Sequence, residues 1–288
     1  MAIVRRSLKV LSLAASLSSM SCGAGPTSRG QSQPTDVFPI VWQPENWTVA
    51  WQDEFVGAAG TPPDPTKWTH EIGGDGWGNK ELQYYTDGTD NVSLDGSGNL
   101  AITARREAFM GNAFTSGRLT TKGLFSQAYG KFEARMQLVQ GVGMWPAFWI
   151  MGDDIDTTGW PAAGEVDIME QRGFQVRQIW GSLHGPNGAD KDLPSTYPAT
   201  LPDDVNTNFH VYAIEWEPDI VTFLVDDQPY AQVTRAHLPA GGRWVWDHPF
   251  FVIVNLAVGG LFGGDPNDMT PMPQSLLIDY VRVSSKQP

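Results

Sequence analysis

Between residues 131 and 139 the chain alternates strictly. Phe132, Ala134, Met136 and Leu138 are apolar, and Lys131, Glu133, Arg135 and Gln137 between them are polar. A period of two puts one set on each face of a strand, so this segment reads as antiparallel sheet with one face buried and one wet. Residues 99–104, 178–184, 210–216, 220–225, 250–258 and 276–283 read as further strands. The pairs Asp95-Gly96, Asn187-Gly188 and Asp226-Asp227 supply turns that separate or flank them. No segment longer than about three turns shows helical periodicity. Many short antiparallel strands predict an all-β fold, a two-sheet β-sandwich or jelly roll. Its curved sheet would offer a concave cleft across which an extended polymer can lie.

Composition agrees. The 288 residues include 31 Gly and 21 Pro, only 18% are charged, and 12 are Trp. Gly and Pro disfavour long helices and suit tight turns. A net charge of −13 repels phosphate backbones and argues against a nucleic-acid partner, whereas a neutral polysaccharide is indifferent to it. The single cysteine, Cys22, excludes an internal disulfide, so the core must hold the fold.

The N-terminus reads as a targeting segment. Arg5, Arg6 and Lys9 precede a mildly apolar run too short to span a bilayer, which predicts a signal peptide over residues 1–22 and export. A Gly/Pro/Ser/Gln-rich linker over residues 23–36 follows, and one domain then runs from 37 to 288 without internal repeat. Cys22 stands where a lipoprotein signal would be cut and the cysteine acylated, but Ser19 occupies the usual apolar position three residues earlier. Soluble secretion and a lipid anchor on the cell envelope both stay open. No transmembrane segment is expected, and the protein is expected to act as a monomer.

The stretch that carries chemistry is Gly164-Glu165-Val166-Asp167-Ile168-Met169-Glu170. Glu165 and Asp167 share a face of an extended strand, but Glu170, five steps on, has the opposite parity. It returns to the acidic face only if one residue after Asp167 is extruded as a β-bulge, a device enriched beside active sites. Three carboxylates on one wall cannot all ionise comfortably, so one should stay protonated near neutral pH. One ionised carboxylate and one protonated partner are what retaining glycoside hydrolysis needs, with the pair roughly 5–5.5 Å apart. The run is also compatible with an acidic helical turn on a surface, or with calcium ligands.

The company this run keeps resembles glycoside hydrolase family 16. Glu165-Val-Asp167-Ile-Met-Glu170 is similar to the family's signature in its bulged form, found in laminarinases, agarases and carrageenases. Trp51-Gln-Asp53-Glu54-Phe55, Gly78-Asn79-Lys80-Glu81-Leu82-Gln83-Tyr84-Tyr85 and Ser116-Gly117-Arg118 resemble bacterial laminarinases. So do Gly143-Met-Trp145-Pro-Ala-Phe-Trp149, Gly181-Ser-Leu-His184-Gly185 and Ile278-Asp279-Tyr280-Val281-Arg282-Val283. The resemblance implies a concanavalin-like jelly roll and endo-hydrolysis of β-1,3-glucan, with mixed-linkage glucan as an accompanying substrate. Its alternatives are a marine galactan (agarose or carrageenan) as substrate, or glucan recognition without turnover. The last is disfavoured because such relatives have typically lost a catalytic glutamate.

Carried over by position, the resemblance makes Glu165 the nucleophile, Glu170 the general acid/base and Asp167 the residue that hydrogen-bonds the nucleophile. Trp145 and Trp149, four apart on one strand face, match sugar-stacking platforms. Trp180 and His184 lie on the predicted cleft face of their strand, and Asn79 and Arg118 match residues that hydrogen-bond sugar hydroxyls. Glu215 belongs either to the cleft or to a surface ion pair. No cofactor is expected in catalysis. A structural Ca²⁺ is implied at Asp279, with Glu54 and Gly98 near positions that supply backbone carbonyls.

Overall fold

The computed structural model describes residues 40–188, 191–192 and 194–286. The predicted signal peptide, Cys22 and the linker lie outside the described residues. Two antiparallel sheets face each other. The seven-stranded sheet runs β12 (Ser195–Thr200), β11 (Gln178–His184), β10 (Glu165–Glu170), β9 (Met144–Gly152), β16 (Phe250–Val258), β7 (Arg118–Thr120) and β2 (Thr69–His70). The eight-stranded sheet runs β15 (Gln228–Thr234), β14 (Ile220–Val225), β13 (His210–Glu217), β8 (Gly130–Gln137), β17 (Gln274–Lys286), β5 (Leu100–Ala104) and β4 (Val92–Leu94), with β1 (Trp47–Asp53) also paired to β17. β3 (Gln83–Tyr85) and β6 (Phe114–Ser116) form a small parallel pair. The helices are single turns, α1 (Ile155–Thr158), α2 (Gly260–Gly263) and a 3₁₀ turn at Arg235–His237. None of the described helices is long and apolar enough to cross a membrane.

The seven strands expected from alternation are all present, as β5, β8, β11, β13, β14, β16 and β17, with ends moved by a few residues. In β8 every second residue is buried, and Phe132, Ala134 and Met136 are fully so. Asp226 and Asp227 both take positive φ, 50° and 58°, which turns β14 into β15 in two residues with the twist a hairpin requires. The core fills the space between the sheets. Ile102, Phe132, Ile214, Trp216, Phe223 and Val283 meet Phe148, Ile150, Val166, Ile179, Leu183 and Val254 in one buried cluster. The sheets pack closely at Gly181, where an added Cβ would fall 2.5 Å from the Phe223 ring and 2.6 Å from the Tyr230 hydroxyl. Because β11 faces the core there, Trp180, Ser182 and His184 are turned to the opposite face, as their alternation predicts.

Candidate active site

The site sits on the outward face of the seven-stranded sheet, centred on β10. Its register supplies the bulge that parity demanded. Against β9, Asp167 pairs with Trp149 and Met169 with Phe148, so Ile168 is the extra residue. Against β11, Asp167 pairs with Ser182 and Glu170 with Trp180, leaving two residues opposite one. Ile168 and Met169 are both buried in the core, at 1% and 0% exposure. Apolar burial of two successive residues drives the bulge, and the bulge returns Glu170 to the face of Glu165 and Asp167. The start of β10 is fixed from both sides. Gly164 has φ 74° and packs where a Cβ would meet Phe250 and Val245 at 3.0 Å, while the Trp246 indole donates to the Glu165 carbonyl at 3.0 Å.

Each carboxylate has its own partners. Trp160 Nε1 donates to Glu165 Oε2 at 3.0 Å, and Trp145 Nε1 donates to Glu170 Oε1 at 2.9 Å. His184 Nε2 lies 3.1 Å from Asp167 Oδ2, and one side-chain oxygen or nitrogen from each of Glu165, Asp167 and His184 falls within 4.8 Å of the others. Burial and the Asp167 charge together push Glu165 up to about 8, against the pull of His184 and the Trp160 N–H. Burial and Asp167 also raise Glu170 well above the carboxylate range, opposed by His184 and the Trp145 N–H. Burial works against charge on His184, but its bonds to Asp167 and Asp192 outweigh this and keep the imidazolium well above its usual range. The centre therefore holds both protons and negative charge near neutral pH, which acid/base chemistry at a glycosidic bond requires.

The aromatic residues surround this centre in two groups. Beside Glu170, Trp145 packs on Phe262 at 5.2 Å, Trp180 meets the same ring edge-on at 5.4 Å, and Arg172 lies over Phe262 at 4.4 Å. On the β7 side, Arg118 is wedged between Trp77 and Trp149, 4.6 and 4.8 Å from the ring centroids, and is paired with Glu71. Trp149 Nε1 donates to Asn255 at 2.8 Å, Asn255 donates to the Tyr85 hydroxyl at 3.2 Å, and Tyr85 donates to buried Glu81 at 3.0 Å. Glu81 also accepts from Gln83 at 2.6 Å and faces the Asn79 amide at 3.5 Å. Burial raises the Glu81 carboxyl above its ordinary range despite these donors.

All nine residues read from the sequence as catalytic or sugar-binding therefore gather at one face, Asn79 and Arg118 around the β7 side and the others on β9, β10 and β11. Two details differ from expectation. Trp145 is 9% exposed and turns its N–H to Glu170, so its hydrogen bond matters beside any stacking. Arg118 spends its guanidinium on Glu71 and two indoles, which makes it a spacer for those rings. Trp160, Trp77, Arg172, Phe262, Glu81 and Asp192 also stand here, none of them among the residues expected from the sequence. Trp160 had a legible signal, an indole at a Pro-containing turn five residues before Glu165. Glu215 is neither in the cleft nor in a surface ion pair. It lies on the eight-stranded sheet, where Trp42 and Trp47 donate to it at 2.5 and 3.0 Å.

The residues expected from the sequence to hold calcium lie away from this face, Asp279 on β17, Glu54 just after β1 and Gly98 just before β5. β5 pairs with β17 as far as Ile278 and β1 from Val281 onward, so Asp279 lies between the two pairings. The side chains are committed elsewhere, Asp279 to Arg135 at 2.5 Å and Glu54 to Arg282 at 2.7 and 2.9 Å. A cation bound through Asp279 would have to compete with Arg135 for its carboxylate.

A β-sandwich with a bulged strand of buried carboxylates, lined on one face by indoles, defines a glycan-cleaving hydrolase. The family model for "Glycosyl hydrolases family 16" matches residues 77–282, and the chain belongs to that family. It is 42% identical over 247 residues to a beta-glucanase of Rhodothermus marinus, covering 83% of this chain and 85% of that one. It is 40% identical to a glucan endo-1,3-beta-glucosidase of Cryptopygus antarcticus, covering 77% of this chain and 84% of that one. Among solved structures, the endo-beta-1,3-glucanase of Pyrococcus furiosus is 40% identical, with a TM-score of 0.77 over 84% of this chain and 95% of that one.

Proposed function

We propose that this protein hydrolyses internal β-1,3 bonds of laminarin-type glucan with retention of configuration, and mixed-linkage β-1,3-1,4-glucan besides. The observation that carries the reading is the bulge at Ile168, which sets Glu165 and Glu170 on one face with Asp167 between them. The substrate assignment draws on the β-1,3-glucan named for the similar proteins above. In the first step Glu165 attacks the anomeric carbon, the glycosidic C–O bond breaks, and Glu170 gives its proton to the departing oxygen. In the second, Glu170 takes a proton from water, which displaces Glu165 and restores the original configuration. Asp167 and His184 tune the charge on Glu165, and the indoles of Trp145, Trp149 and Trp180 take the sugar faces with Arg118 and Asn79 beside them. The reaction runs through these side chains and water, while a calcium ion at Asp279 would act on stability alone.

Export through residues 1–22, as a soluble or Cys22-anchored enzyme working as a monomer, completes the reading and rests on the sequence pattern. The test is reducing-sugar release from laminarin, lichenan, agarose and carrageenan by the intact domain and by Glu165→Gln. Laminarin cleavage that disappears in the variant supports the proposal. Cleavage of a galactan alone overturns the substrate, and binding of laminarin without cleavage of any polymer overturns the chemistry.

A further inference from the structure

The loop after β11 brings a fourth carboxylate to the reaction centre. Asp192 Oδ2 lies 2.9 Å from His184 Nδ1, while Nε2 of the same ring lies 3.1 Å from Asp167 Oδ2. Carboxylates thus face both ring nitrogens, Asp192 through a hydrogen bond and Asp167 as an ion-pair partner, and only the doubly protonated imidazole carries a positive charge between them. The loop is built to put Asp192 there. It forms a backbone bridge with Pro186, and Asn187 N–H donates to the Lys191 carbonyl at 2.9 Å, folding the segment back on the end of β11. His184 and Asp192 are 22% and 20% exposed, so water screens their pair only in part. Among the described residues, the charged groups facing His184 include Glu165, Asp167 and Glu170 from β10 and Asp192 from the loop.

We propose that Asp192 is a positioning residue for the reaction, holding His184 as an imidazolium against Asp167 so that Glu165 can ionise beside a charge already present. The inference rests on the roles proposed above for Glu165 and Glu170. Asp192 touches no reacting atom and acts through His184. Without its charge, His184 releases its second proton at lower pH. A neutral ring then no longer offsets Asp167, and Glu165 keeps its proton to higher pH. The coupling is indirect, yet it bears on the group that must be deprotonated to attack.

The test uses the whole chain and the variants Asp192→Asn, near-isosteric and uncharged, and Asp192→Glu, which restores the charge. Two readouts separate the clamp from the chemistry. The first is an NMR titration of the His184 ring, identified among the five histidines by its loss in His184→Gln. The second is the acidic limb of the kcat/KM profile on laminarin. In Asp192→Asn the His184 titration should fall by about one pH unit or more, and the acidic limb should rise, with KM changed less than about twofold. Asp192→Glu should recover most of both shifts. Should Asp192→Asn fail to fold, Asp192→Ser removes the charge with less bulk and serves in its place. A His184 titration that superimposes on the wild type overturns the clamp. A shifted titration with an unmoved acidic limb overturns the link to Glu165. A wild-type protein that cleaves no β-glucan sinks the reaction assigned above, while the NMR titration still reads the clamp.

Discussion

Trp145→Phe isolates the hydrogen bond on which the assignment of Glu170 turns. The indole is 9% exposed, its N–H donates to Glu170 Oε1 at 2.9 Å, and its ring rests on Phe262 at 5.2 Å. Phenylalanine keeps an aromatic ring in that place and removes the donor. A hydrogen bond to a charged group contributes roughly 1.5–3 kcal/mol, and about 1.36 kcal/mol corresponds to one pH unit. The donor favours the ionised form of Glu170, so its loss moves the group's titration upward by about one to two pH units. A general acid works while protonated, and activity falls as pH rises through its pKa. The alkaline limb of kcat/KM on laminarin, followed from about pH 4 to about pH 10, should therefore move up by that amount. Any packing loss from the smaller ring scales the whole profile and lowers the melting temperature without moving the limb. A limb that stays in place, or moves down, would refute Glu170 as the proton donor.

Other expectations follow from the same charges and contacts. Glu165, Glu170 and His184 all titrate above their ordinary values in the fold, so the native state binds more protons than the unfolded one and stability falls as pH rises through their folded pKa values. Melting should thus be lower near pH 8 than near pH 5, and Glu170→Gln, which cannot ionise in either state, should raise the melting temperature more at the higher pH. Arg118→Leu removes the spacer between Trp77 and Trp149 and strands Glu71. KM for laminarin should rise about tenfold with a smaller change in kcat, as loss of two cation–aromatic contacts implies, and an unchanged KM would count against it. Calcium should raise the melting temperature of Arg135→Ala more than that of the wild type, because the arginine competes for Asp279. Equal shifts would remove that competition.

Most of the frame was legible because period-two alternation records which face of a strand is buried. Lys131 to Gln137 and Gln178 to His184 show this, and their outward residues are where alternation puts them. The bulge was legible too, through the parity conflict between Glu165 and Glu170. The short strands β2, β3, β4, β6 and β7 were not, since two or three residues carry no period. Nor were the contacts made by long-range closure. Glu81 and Trp149 communicate through Tyr85 and Asn255, which stand 170 positions apart. Asp192 reaches His184 only because its loop folds back on β11. The direction of an indole N–H is likewise invisible in sequence, which is why Trp145 read as a platform before it read as a hydrogen-bond donor.

Hydrolysis with retention requires that Glu165 become covalently attached to sugar during turnover. The direct measurement is mass spectrometry of the protein treated with a slow-hydrolysing, 2-fluoro-substituted β-1,3-glucosyl substrate, followed by digestion and fragment sequencing. The account predicts one added glycosyl unit on Glu165, absent from Glu165→Gln. A label on Glu170, or turnover with inversion and no trapped species, would contradict it.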